Sequence, residues 1–84
     1  MAETVWQQTG VSLAQIERAR RDFDWPRVRD LATQILEQDD VAPETAVDLL
    51  RQRATAHEHM GQIDHALADL EAAVSQAQKN DLIR

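Results

Sequence analysis

Three histidines, two serines and nine basic side chains are what this chain of 84 residues offers to chemistry. His57, Glu58 and His59 stand together, but a helix that binds zinc places its ligands four apart on one face. Residues two apart lie about 200° round a helix, so His57 and His59 do not share an ion. His59 and His65 could meet across the turn at Gly61, with Glu58 or Asp64 nearby. The simpler expectation is a partly buried His57 in a seam between helices and a solvated His59. Ser12 sits at a helix start and Ser75 on a helix surface, neither on a strained turn, so neither reads as a nucleophile. There is no glycine-rich phosphate loop. With no cysteine, thiol catalysis, Cys-bearing zinc sites and disulfides are all excluded. No catalytic residue, metal site or cofactor is therefore expected.

The arginines form the one charge cluster. Arg18, Arg20, Arg21, Arg27 and Arg29 hold five of the nine basic residues. Asp22, Asp24 and Asp30 interleave with them, which suits a solvated helix face with local ion pairs. The net charge is −6 and the pI about 4.8, so neither nucleic acid nor an anionic membrane is an expected partner. The opening residues carry no export signal, and no apolar run approaches about 18 residues. Together with the missing cysteines, this leads to the expectation of a cytoplasmic protein.

These residues have to be positioned by helices. Thirteen Ala, nine Gln and eight Leu stand against two Gly and two Pro. Such residues propagate helices cheaply, while the β-branched and aromatic residues of strands are scarce. An all-α fold is the expectation. Asp24-Trp25-Pro26 reads as a helix start, Ala42-Pro43 as another, and Gly61 as a left-handed helix end with Asp64 capping the next helix. Ser12-Leu13-Ala14-Gln15 reads as a capping box. Four helices are predicted, at about 11–22, 26–38, 44–60 and 64–79. Residues 1–10 either extend the first helix or form a loose tail, and Gly10 favours a break.

Apolar spacing then predicts packing. Ile63, Ala66, Leu67, Leu70, Ala73, Val74 and Ala77 make one continuous stripe, and Trp25, Val28, Ala32, Ile35 and Leu36 make another. In the third helix Ala46, Leu50 and Ala54 lie on one side, with Leu49, Ala56 and Met60 on another. That helix should be sandwiched. A shift of 38 residues lays Trp25 on Ile63, Val28 on Ala66, Ala32 on Leu70, Ile35 on Ala73 and Leu36 on Val74. The fold is expected to be two stacked antiparallel helical hairpins.

Leu50, Ala54, Gly61, Ile63, Ala66, Leu67, Leu70 and Ala73 together resemble the tetratricopeptide repeat. Residues 47–80 align with a full unit and residues 9–42 with a degenerate one, in which Phe23 stands where the family usually has Gly. Residues 81–84, opening on Asp81, read as the start of a further or capping helix, as in a domain cut from a longer array. Arg53 departs from the pattern at a large apolar position, and His57 at one that prefers Tyr or Leu. The resemblance implies a scaffold or adaptor, of the kind found in the N-terminal regulatory part of larger bacterial signalling proteins. It also implies a concave peptide groove. Carried over by position, Leu13, Glu17, Arg20 and Arg21 would line it from the first unit, and Arg51, Thr55, Glu58 and His59 from the second. Arg20, Arg21 and Arg51 would clamp an acidic peptide or a terminal carboxylate. Thr55 replaces the Asn used by members that hold chaperone tails, which disfavours that activity. The alternative expectation is a self-associating domain, a homodimer with Trp6, Leu82 and Ile83 at its seam.

Overall fold

The computed structural model describes residues 12–38 and 40–80. Those residues form four helices and no strand: α1 Leu13–Arg21, α2 Trp25–Leu36, α3 Pro43–His59 and α4 Ile63–Lys79. The bounds fall within two residues of the expected ones. α1 opens after Ser12, whose backbone N–H donates to Gln15 Oε1 at 2.7 Å, one arm of the capping box. Asp24 caps α2, its side chain accepting from the Arg27 backbone N–H at 3.4 Å, and Pro26 sits in the first turn. One capping expectation is corrected. The residue ahead of α4 is Gln62, and Asp64 lies inside the first turn, where it favours the helix dipole without capping.

The 38-residue repeat is visible in the backbone. Phe23 (φ 57°) and Gly61 (φ 76°), 38 apart, are both left-handed. Phe23 N–H donates to Arg20 O and Gly61 N–H to Glu58 O, each at 3.0 Å. One residue on, Asp24 N–H reaches Ala19 O at 2.9 Å and Gln62 N–H reaches His57 O at 2.8 Å. Both hairpin turns therefore close with the same wrap of backbone donors onto the last carbonyls of the preceding helix. Gly enters that conformation freely, whereas Phe enters it against a Cβ clash. Phe23 lies edge-on to Trp25 at 6.3 Å, a contact that offsets part of the strain.

The helices pack in consecutive pairs, α1 on α2, α2 on α3 and α3 on α4, as a hairpin stack. The main core joins Ile16 and Ala19 of α1, Val28, Leu31, Ala32 and Ile35 of α2, and Leu49 and Ala56 of α3. Met60 and Trp25 pack against it. The other buried side of α3, marked by Ala54 and His57, belongs to the second hairpin, so α3 is sandwiched as its two apolar sides require. The Cα atoms span only 17 Å in the thinnest direction, the thickness of about two helix layers. Such a slab has little interior to give its second hairpin.

Candidate functional site

The stripe expected on α4 splits into two faces. Ala66, Ala73 and Ala77 are buried, together with Asp69, while Ile63, Leu67, Leu70 and Val74 stand 44–55% exposed. The small residues thus go inward and all the large aliphatic ones outward. Alanine lets two helix backbones come close, and the α3–α4 hairpin is closed in that way. The cost is that the strongest apolar groups of α4 are left uncovered by the described residues. The outward row repeats at 63, 67, 70 and 74, a four-three-four spacing that matches a coiled-coil seam over about three turns. It borders a shallow trough of about 350 Å³ lined by Leu67, Leu70, Glu71, Val74, Ser75 and Gln78.

A polar pin holds the hairpin behind that row. Arg53 Nε and Nη2 donate to the two carboxylate oxygens of Asp69 at 2.8 and 2.7 Å, a bidentate fork. Nη1 of the same guanidinium donates to the Thr33 hydroxyl of α2 at 3.0 Å, tying three helices together. Asp69 also has His57 Nε2 at 3.6 Å, and His57 Nδ1 meets Gln62 Oε1 at 2.7 Å. The hydrogen bond that Arg53 donates to Asp69 holds its guanidinium above the ordinary pKa. Burial opposes this, and the charges of Asp69 and Glu37 add to it. Arg53 and His57 thus both face one buried carboxylate. Sequence reasoning missed Asp69. Its signal was the position itself, three after Ala66 and four before Ala73, within the buried stripe.

The expected groove residues are exposed or half-buried, as a lining requires, but several are already engaged. Arg20 Nη2 holds Glu17 with 2.7 Å contacts to both carboxylate oxygens. Thr55 donates back to the Arg51 carbonyl at 3.1 Å, and Arg51, Thr55 and Glu58 share one exposed side of α3. Leu13 is half exposed and Arg21 exposed on α1. α1 and α3 each pack on α2 and, among the described residues, not closely on one another. His59, expected to be solvated, is exposed but stacks on Trp25 with ring centroids 4.1 Å apart. His57 is buried in the seam as expected, and its ring neighbour is His65, at 5.1 Å. Among the described residues no group of three acidic, His or Cys side chains is placed to hold a metal. Nor is any helix long and apolar enough to cross a membrane. Trp6, Leu82 and Ile83 lie outside the described residues, as do residues 1–10 and the start of a further helix at 81–84.

No family model, curated protein or solved structure matches the chain.

Proposed function

We propose that this chain is a protein-interaction module of tetratricopeptide type, without chemistry of its own, that docks a segment of another protein. The outward row Ile63, Leu67, Leu70 and Val74 carries the reading. Scattered exposed aliphatic residues need no explanation, but four in one helical row form a contiguous patch of the kind that marks interaction sites. The polar face of α1 and α3 is the weaker candidate, because Arg20 and Thr55 already have partners within their own helices. The cysteine-free composition fits a cytoplasmic adaptor.

Site-directed photo-crosslinking in cells that make the protein tests this reading. A crosslinker replacing Leu70 should yield a discrete adduct, whereas one replacing Gln34, on the exposed side of α2, should not. Equal yields from the two positions, or none from either, would remove the docking function.

A further inference from the structure

The row on α4 also carries information about its occupant. Its spacing is that of a helix seam. In a heptad frame, Leu67 and Val74 take one core position, and Ile63 and Leu70 the other. The positions flanking the row on the side of the buried seam are Ala66 and Ala73, already covered by α3. The opposite flank is Asp64, Glu71 and Gln78, with Asp64 and Glu71 exposed. One edge of the row is thus closed and apolar, and the other is open and acidic.

A second copy of this chain laid antiparallel on the row would bring Asp64 and Glu71 against the same two acids, and each copy carries a net charge of −6. Like charges at flanking positions set partner choice against self-pairing. An extended peptide would present side chains at the two-residue period of a strand, which the four-three-four row does not match. A helix with apolar residues every three or four positions and Lys or Arg along one flank meets both the seam and the acids.

Resting on the docking function proposed above, we infer that the occupant of the α4 row is an amphipathic helix of another protein with a basic flank. It should lie along about three turns of α4 at the shallow crossing angle of coiled-coil packing.

The probes are two synthetic helical peptides with the same Leu/Ile seam in four-three-four spacing. One has Lys at every flanking position and the other Glu. Fluorescence anisotropy with the full chain should show the Lys-flanked peptide binding about tenfold more tightly at low salt, the sum of two exposed ion pairs gained and two repulsions avoided. The preference should shrink at high salt. Leu67→Ser with Leu70→Ser should abolish binding of both peptides while leaving the helical circular dichroism intact, since both sites are exposed. Asp64→Asn with Glu71→Lys should cancel or invert the preference. Equal affinity for the two peptides, lost in the serine variant, would overturn the basic-partner inference and keep the docking function. Self-association that the serine variant removes, seen by sedimentation without any peptide preference, would make a second copy the occupant and also overturn it. Neither peptide binding, with the serine variant behaving as the parent in sedimentation as well, would overturn the inference and the docking function together.

Discussion

The pin between α3 and α4 makes a quantitative prediction. Asp69 is the more buried partner, its side chain 9% exposed against 22% for Arg53. Arg53→Met strands a carboxylate that then has only His57, at 3.6 Å, close to it. Asp69→Leu strands a guanidinium that keeps the Thr33 hydroxyl and can swing its long stem toward water. Breaking a buried pair from one side costs about 3–5 kcal/mol, and partial exposure lowers that range. Arg53→Met should therefore cost about 3 kcal/mol and Asp69→Leu about 2 kcal/mol. Against a total of roughly 4–12 kcal/mol for a chain of this length, either change is a large fraction.

The double variant is the decisive measurement. With both charges gone, two apolar side chains of similar volume fill the seam, and such replacements are often neutral or stabilising. The double variant should therefore lie within about 1 kcal/mol of the parent, a coupling of about 5 kcal/mol. Urea unfolding followed by circular dichroism at 222 nm gives all four corners of the cycle. Additive single effects, or single effects both below about 1 kcal/mol, would show a solvated surface pair and refute the argument.

Two further outcomes rest on the same geometry. Phe23 is 75% exposed and left-handed, so Phe23→Gly should be more stable than Phe23→Ala by about 1 kcal/mol, the reverse of the order in a helix, while Gly61→Ala, with open space around its Cβ, should lose a similar amount through backbone strain alone; thermal melts of the three variants check both. The Arg53 value in the folded chain lies above its unfolded one, so from neutral pH up to the unfolded value the Asp69–Arg53 pair contributes fully, and it weakens only as pH rises through the folded value; the stability gap between the parent and Asp69→Leu should be the same at pH 7 and pH 10, and a gap that closes by pH 10 would contradict it.

The parts of the fold legible in the sequence are those set by local rules. Pro26 and Pro43 mark helix starts, Gly61 marks a left-handed end, and the 38-residue repeat places Phe23 opposite Gly61. Periodicity also put α3 between two neighbours. It could not separate the two halves of the α4 stripe, because Ala66 and Leu67 are adjacent on the helix and equally apolar in pattern. Only the closeness of α3 decides that alanines face it and leucines face away. Asp69 escaped for a related reason. A charged residue in a stripe reads as an interruption until its partner is known, and that partner lies 16 residues away on another helix.

The same division bears on how firmly α4 is held. Its buried seam consists of Ala66, Ala73, Ala77 and the Asp69 pin, whereas α2 buries Val28, Leu31, Ala32 and Ile35. Fully burying a Val, Leu or Ile side chain stabilises by about 1.5–3 kcal/mol, and alanine contributes far less. α4 should therefore open locally at lower free energy than α2, by about 2 kcal/mol after the pin is counted. Native-state hydrogen exchange reads this directly, by comparing slow amides in the middle of the two helices. A helix laid on the row would cover the exposed half of four aliphatic side chains, worth about 4 kcal/mol on this side of the interface and a similar amount on the partner's. Set against association costs of about 4–15 kcal/mol, the row alone supports millimolar or weaker binding, to which the flanking ion pairs add. At a hundredfold excess over Kd, it should raise the opening free energy of the α4 amides by about 2.7 kcal/mol, erasing their difference from α2. Slow exchange in α4 equal to that in α2 without any ligand would mean that the alanine seam and the pin suffice by themselves. The outward row would then have lost its claim to be an unfinished packing surface.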